Sequence, residues 1–166
     1  MSAIDTVLER NRKYAEQFDQ GGLPGRPPSL ELSVLCCLDC RVHVPELLDL
    51  KLGEAHIIRN AGGIVTEDVL RSLLISYYIG GTREIMIINN TKCGMLTFTD
   101  EELEERLQKE TGKVPVVPSR FLAFTDLEAN VRLQIRKVRS HPWIPKNVLV
   151  RGFVYDVDTG RLSSVK

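Results

Sequence analysis

The sequence predicts a single α/β domain with a mostly parallel β-sheet flanked by helices. Short apolar runs alternate along the chain with longer stretches whose apolar residues recur at helical spacing, which is typical of strands joined by crossover helices. Two of the runs, at 34–37 and 87–88, end abruptly in cysteine or polar residues, as buried parallel strands do where they deliver side chains to a site. A length of 166 residues suits one domain, so we assign residues 1–166 to it.

The chain begins with a helical arm. Apolar residues recur at helical spacing over 3–19, and the stretch 21–28, rich in glycine and proline, cannot continue the helix. We therefore treat residues 1–20 as an N-terminal arm that packs either on the body of the domain or on a partner subunit.

Five strands are expected from the β-branched and apolar runs. They are predicted at 32–37, 55–59, 84–88, 147–157 and 161–165. Because a turn at 158–160 joins the last two, the final strand should form an antiparallel edge on an otherwise parallel sheet.

Capping residues mark the helices between these strands. Pro45 suits the first turn of a short helix that ends at residue 50, and Thr66 suits the N-cap of a helix that Gly80 stops. The motifs at 99–102 and 125–128 each have the spacing of a capping box and open two further helices.

Composition and charge exclude several classes of function. With 43% hydrophobic and 27% charged residues, the chain has the composition of a folded, soluble domain. Its 22 basic and 22 acidic residues cancel, so no net field directs it to nucleic acid or to a membrane surface. No apolar run approaches the roughly 20 residues of a membrane span, and the N-terminus lacks a signal pattern, so we expect a cytoplasmic protein.

Cysteines lie at two of the predicted strand ends. Cys37 ends the first strand and Cys93 follows the third. If these strands are neighbours, the two side chains meet at the carboxyl edge of the sheet, where open α/β sheets bind ligands, with Asp39 and Arg41 beside them. Two thiolates and a carboxylate at one edge indicate a zinc site; the alternative is a pair of buried structural cysteines.

Three blocks of sequence carry a resemblance to a known family. Residues 37–41, 59–63 and 90–95 resemble, in order and spacing, the signature blocks of the β-class carbonic anhydrases. Residues 151–160 resemble the closing strand pair of that family, so the resemblance covers nearly the whole chain. Segment 94–100 also resembles the branch of the family that hydrolyses carbonyl sulfide and carbon disulfide.

The resemblance implies a zinc-dependent enzyme. Zinc-bound hydroxide would hydrate carbon dioxide reversibly to bicarbonate, or hydrolyse carbonyl sulfide or carbon disulfide. Members of the family are dimers or higher oligomers, often with the N-terminal helix laid over the neighbour, so we expect at least a homodimer. The expected partners are therefore a small-molecule substrate and a second copy of the chain, with neither nucleic acid nor membrane.

The same resemblance implies roles for the side chains near the strand ends. Cys37 and Cys93 would be zinc ligands. Asp39 would either pair with Arg41 or turn onto the zinc as a fourth ligand, and would so control whether water reaches the metal. Close to the metal, Asp39 would also accept a proton from bound water. Cys40 occupies a position where the family usually has a small residue, so we expect a small buried side chain there.

A pocket for carbon dioxide needs apolar walls and a few backbone donors, because the substrate carries no charge. The amides of Gly62 and Gly63, with Ile64 and Val65 beside them, are the candidates for substrate binding. Cys36 alternates away from the site along its strand and is expected in the core.

Asn90 stands where the resemblance leads us to expect a zinc-binding histidine, three residues before Cys93. A neutral amide oxygen is a poor zinc ligand. No other histidine is obviously available, since His43, His56 and His141 are each expected to be structural or exposed.

Three outcomes are open for the metal. In the first, Cys37, Cys93 and Asp39 hold zinc, and either Asn90 or water completes the shell. In the second, Cys40 serves as a third thiolate and makes the centre less acidic. In the third, no metal binds, and the chain is a catalytically silent homologue with a role in binding or assembly.

Overall fold

A computed structural model describes residues 2–114 and 117–166, and these contain a five-stranded sheet with the strand order β2-β1-β3-β4-β5. The first four strands are parallel, and β5 runs antiparallel to β4. This confirms the predicted α/β fold with its antiparallel C-terminal edge. The strands are β1 (Leu32–Cys37), β2 (Ala55–Asn60), β3 (Glu84–Asn90), β4 (Leu149–Tyr155) and β5 (Leu162–Val165).

Five α-helices and two short 3₁₀ turns connect the strands. The turn Ala61–Gly63 follows directly on β2, and the turn Gly94–Leu96 follows directly on Cys93. Both turns lie at the carboxyl edge of the sheet. The helices are α1 (Ala3–Glu16), α2 (Val44–Leu47), α3 (Glu67–Tyr78), α4 (Asp100–Thr111) and α5 (Leu127–Ser140).

Two of the predicted caps are confirmed and one is wrong. The Thr66 hydroxyl accepts a hydrogen bond from the amide of Val69, and Thr99 forms the full capping box that opens α4. The last helix begins one residue later than predicted, because the carboxylate of Asp126, rather than Thr125, accepts the amide of Ala129 at 2.9 Å. Aspartate is at least as good an N-cap as threonine, so the adjacent pair left the start ambiguous.

The core lies on both faces of the sheet. On one face, α3 and α5 pack over the central strands; the buried residues there include Leu35, Ile85, Ile87, Val150, Leu73 and Val138. On the other face, α2 and its flanking turns cover Val34, Cys36 and Ile88. Each such side chain stabilises the fold by about 1.5–3 kcal/mol through the apolar surface that it removes from water. Cys36 is fully buried, as predicted for a core residue, and burial raises the pKa of its thiol to about 11.

Several boundaries differ from those predicted. β3 runs two residues further than expected and so includes Asn90, which is completely buried. β4 is shorter at both ends than the predicted 147–157. The prediction of a buried Cys40 is wrong: this residue lies in the turn after β1 and is exposed.

The arm helix α1 buries none of its residues. The body of the domain thus buries no residue of the arm helix, and both packing on the body and contact with a partner subunit stay predictions. Within the two described segments, no helix combines the length and apolar character needed to cross a membrane.

Candidate active site at the carboxyl edge of the sheet

The ends of two central strands bring the two predicted cysteines together. β1 and β3 pair in parallel, with Cys36 opposite Ile88, so Cys37 and the turn after β3 lie side by side. Cys37 and Cys93 are both buried, and their Sγ atoms are 3.7 Å apart. The sequence-based expectation that these side chains meet at one edge is therefore met by the geometry.

The Cys37 and Cys93 sulfurs are joined by a hydrogen bond. This bond lowers the pKa of Cys37 and raises the pKa of Cys93. The amide of Asp39 also donates to the Cys37 sulfur, at 3.4 Å. The pair therefore favours a thiolate at Cys37 rather than at Cys93.

Asp39 and Arg41 form a bidentate ion pair at the rim of the site. Nε and Nη2 of Arg41 donate to Oδ1 and Oδ2 of Asp39, at 3.0 and 2.6 Å. These bonds lower the pKa of Asp39 to about 2, although desolvation opposes them. The Asp39 side chain is 13% exposed and that of Arg41 46% exposed. Arg41 also donates to the carbonyl of Lys92 and so ties the two strand-end turns together.

Among the described residues, the carboxamide of Asn90 forms hydrogen bonds through its nitrogen only. Its Nδ2 donates to Oδ2 of Asp39 at 3.1 Å and to the carbonyl of Thr91 at 3.0 Å. Its Oδ1 is buried and has no hydrogen-bond partner among the residues described. A buried acceptor left in this state costs about 1–3 kcal/mol, which a cation bound to the oxygen would remove.

The three histidines lie away from this edge. His43 contacts Glu46, His56 contacts Ser76, and His141 accepts from the amide of Trp143. Over residues 2–114 and 117–166, no group of three or more histidine, cysteine, aspartate or glutamate side chains is arranged to hold a metal ion. The site offers the two cysteine sulfurs and an amide oxygen, with the Asp39 carboxylate held by Arg41.

The spacing of the thiol pair fits zinc. Two sulfurs that are each about 2.3 Å from a tetrahedral zinc lie roughly 3.8 Å apart. The observed separation of 3.7 Å matches this value. The Oδ1 of Asn90, which has no hydrogen-bond partner among the described residues, is a further oxygen at the same edge.

A pocket of about 390 Å³ opens onto the two sulfurs. Apolar atoms make up much of its wall, and Gly62 contributes backbone. The prediction that Gly63, Ile64 and Val65 line the pocket is wrong, because none of them is among the residues of its wall. Gly63 instead packs against Asn89, whose Nδ2 would lie 2.8 Å from a Cβ at this position. The lining residues are Cys37, Leu38, Asp39, Ala61, Gly62, Cys93, Gly94, Met95, Thr97 and Phe98.

Sequence reasoning missed the residues that support the site from behind. Nε and Nη2 of Arg59 donate to the carbonyls of Cys37 and Asp39 and so brace the turn after β1. Asn89, Asn130 and Gln134 are buried polar residues linked by hydrogen bonds. The available signal was a polar side chain inside the apolar run of β3, and two amide side chains spaced i, i+4 on the inner face of α5.

The fold and this pocket define the class of the protein: a parallel α/β sheet that carries a small-molecule site at its carboxyl edge. Residues 32–162 match the carbonic anhydrase family. Together with the similarities below, this match shows that the chain belongs to the β-carbonic anhydrase family of enzymes.

The relatives of the chain have two kinds of name. The β-carbonic anhydrase 1 of Mycobacterium tuberculosis is 44% identical over 165 residues, which cover 99% of each chain. A carbon disulfide hydrolase of Saccharolobus solfataricus is 36% identical over 181 residues, with 96% of this chain and 89% of the relative covered. The crystal structure of the Streptococcus mutans carbonic anhydrase superposes with a TM-score of 0.94 at 42% identity, over 100% of this chain and 99% of that one.

Proposed function

We propose that this protein uses zinc to catalyse either the reversible hydration of carbon dioxide to bicarbonate or the hydrolysis of carbonyl sulfide or carbon disulfide. The observation that carries the proposal is the pair of sulfurs of Cys37 and Cys93, 3.7 Å apart in the wall of a small pocket. The names of the relatives support both reactions. An uncharged triatomic substrate suits this pocket, because carbon and sulfur atoms of the wall can contact a substrate that carries no charge.

Four side chains would hold the metal. Cys37 and Cys93 would bind through sulfur and Asn90 through Oδ1, while Asp39, or water in its place, would take the fourth position. When bound, zinc lowers the pKa of water toward about 7 and so supplies a nucleophile at neutral pH.

The pair of Asp39 and Arg41 would regulate the fourth position. While Arg41 donates to both carboxylate oxygens, Asp39 stays ionised and takes up no proton at neutral pH. Release of the half-exposed guanidinium would leave the carboxylate with only the Arg41 amide on Oδ1 and Asn90 on Oδ2, and so make it available to accept a proton or to approach the metal.

The backbone and the pocket wall would bind and orient the substrate. Gly62 lines the pocket together with both cysteines, and its carbonyl accepts from Nδ2 of Asn89. Met95 and Phe98 would exclude bulk water from the face opposite the sulfurs.

The test is zinc analysis of the purified, untagged protein, with assays of carbon dioxide hydration and of carbonyl sulfide and carbon disulfide hydrolysis on the same sample. We expect close to one zinc per chain, as in a single four-coordinate site, and turnover of at least one of the three substrates. Folded protein that was never exposed to a chelator and contains no zinc would overturn the proposal.

A catalytically silent homologue is the second candidate. It is favoured by Asn90, whose amide nitrogen is committed to Asp39 and Thr91, and by the lack of a third cysteine, histidine or carboxylate grouped with the thiol pair in the described part of the chain. In that case the protein would serve in binding or assembly. Absence of both zinc and turnover from the folded protein is the result that it predicts.

A further inference from the structure

We propose that Asn89, Asn130 and Gln134 form a positioning chain that sets the backbone of Gly62 and Gly63 against Cys37 and the pocket. Its kinetic consequence rests on the proposed function, whereas its structural consequence does not.

The chain of amides starts on α5 and ends on β3. The amide of Val65 donates to Oε1 of Gln134 at 2.9 Å, and Nε2 of Gln134 donates to Oδ1 of Asn130 at 2.7 Å. Nδ2 of Asn130 then donates to Oδ1 of Asn89 at 2.8 Å. All three side chains are buried.

The last link holds the glycine turn. Nδ2 of Asn89 donates to the carbonyl of Gly62 at 2.9 Å and to that of Gly63 at 3.2 Å. Both glycines have positive φ angles, +80° and +59°, a conformation that other residues rarely adopt. Gly62 lines the pocket together with Cys37 and Cys93. A continuous path of hydrogen bonds thus leads from α5 to the wall of the pocket.

The direction of every amide in this path is determined by the backbone at its two ends. A backbone N–H can only donate, so Gln134 must present its oxygen to Val65; a backbone C=O can only accept, so Asn89 must present its nitrogen to the glycines. The amides between them then have one consistent arrangement. A network in which each oxygen and nitrogen has a hydrogen-bond partner is rigid, as expected of side chains that position the glycine turn.

The position of the path relates it to the reaction. Asn89 is the penultimate residue of β3, directly before Asn90, and Gly62 lines the substrate pocket. Apolar side chains at these three positions would leave the amide of Val65 and the carbonyls of Gly62 and Gly63 without these partners. Partners behind a metal ligand change activity about 10- to 100-fold when they are replaced, which is the size of effect expected here.

The test compares two variants of the path with a control at the opposite end of the sheet. Asn130→Asp keeps the acceptor for Gln134 but puts an oxygen in place of the donor to Asn89. Gln134→Met removes both polar contacts with little change in volume, and it serves if the buried charge of the first variant prevents folding. The control is Ser76→Ala, which breaks an equally buried hydroxyl cluster at the amino end of the sheet.

Two measurements apply to each variant. The first is the kcat and KM of the zinc-loaded enzyme; the second is amide hydrogen exchange at Gly62, which needs no activity. We expect the two path variants to lose about 10- to 100-fold in kcat/KM and to exchange the Gly62 amide at least about tenfold faster. Ser76→Ala should lower the melting temperature alone.

The proposal is overturned if, at an equal loss of melting temperature, the path variants and the control show equal changes in kcat/KM and in exchange of the Gly62 amide. The three amide side chains would then have a structural role only. If the parent protein turns over none of the three substrates, the proposed function fails and the exchange measurement alone decides the positioning role.

Discussion

Asn90 has an unusual combination of burial and incomplete hydrogen bonding. It ends β3, is fully buried, and uses its nitrogen for Asp39 and for the Thr91 carbonyl. Its oxygen faces no donor in the described structure. The residue thus holds Asp39 in place but gives a metal only a neutral oxygen, a weaker ligand for zinc than an imidazole nitrogen.

Replacement of Asn90 by histidine should strengthen the metal site. We expect Asn90→His to bind zinc more tightly and to raise kcat/KM for carbon dioxide by at least about tenfold, because a nitrogen ligand replaces an amide oxygen. Competition with a chromogenic chelator measures the affinity. Asn147→His, in an exposed loop, is the matched control and should change neither quantity. No gain in affinity at position 90 would count against a role for this side chain in metal binding.

At this scale, the sequence was informative where a strand end determines the place of a side chain. Cys37 and Cys93 could be placed together because consecutive parallel strands end at one edge. Cys40 could not be placed, since its turn leaves the sheet and no periodicity constrains it. The hydrogen bonds of Asn89 were also beyond prediction, because its partners come from α5 and from a glycine turn distant in sequence.

The contact of α5 with β4 depends on a residue without a side chain. A Cβ on Gly152 would lie 2.3 Å from Cγ1 of Val131 and 2.7 Å from Cδ1 of Ile135. The helix therefore approaches the strand more closely than any larger residue would allow.

Gly152→Ala should accordingly overpack this contact. We expect the free energy of unfolding to fall by about 1–3 kcal/mol, measured by urea denaturation. Gly25→Ala is the control, because no atom lies within 4 Å of the added Cβ, and it should change stability by no more than about 0.5 kcal/mol. A stable Gly152→Ala variant would mean that α5 can shift away from the strand without loss.

Asp100 joins α4 to the loop that precedes α5. Its carboxylate accepts from the amides of Phe121, Leu122 and Ala123 at 3.1, 3.1 and 2.8 Å. Desolvation raises the pKa of Asp100, but these three bonds outweigh it and lower the pKa below its usual value. Since the folded-state pKa is the lower one, the stabilisation is present at neutral pH and disappears as the pH falls through about 4 and below.

Asp100→Asn should therefore destabilise the protein in a pH-dependent way. We expect a loss of about 1 kcal/mol at pH 7, because the amide keeps only one acceptor oxygen. The difference from the parent should shrink as the pH falls below the usual carboxyl pKa of about 4, because the unfolded chain then takes up a proton that the folded carboxylate does not. Melting curves at several pH values measure both effects. Glu105→Gln, on the exposed side of the same helix, should show neither; a difference independent of pH would exclude the ionised carboxylate as its source.

The alternation of apolar periods predicted the order of the strands and helices, but it did not predict where each element ends. The end of β3 was placed two residues early because Asn89 and Asn90 are polar, whereas in the fold both are buried and paired with β4. Local signals place an element, and tertiary pairing decides how far it continues.

For the whole molecule, one exposed apolar stripe lies on the arm. Ile4, Val7 and Leu8 on α1 are each more than half exposed. An amphipathic helix normally buries such a stripe, whereas no residue of this helix is buried. A second copy of the chain would cover it, in line with the predicted homodimer.

Sedimentation measurements test this assembly. We expect the parent chain to sediment as a dimer or a larger homo-oligomer, and Leu8→Glu to shift it toward the monomer, because a charge in the stripe would have to be desolvated in the interface. Glu9→Gln, at the neighbouring position, should leave the parent distribution unchanged. A parent that stays monomeric would show that the arm has another partner or none.

The spacing of the two sulfurs is a property of the sheet. β1 and β3 each have a neighbour on both sides, and their pairing runs without interruption from Leu32 opposite Glu84 to Cys36 opposite Ile88. Small zinc domains differ, because their chains fold only around the ion. Here the hydrophobic core holds the strand ends in place without the ion. A chelator should therefore remove zinc without changing the circular dichroism spectrum, and added zinc should restore the activity. A cell that runs short of zinc would then keep the folded chain in reserve and regain its activity without new synthesis when the ion returns.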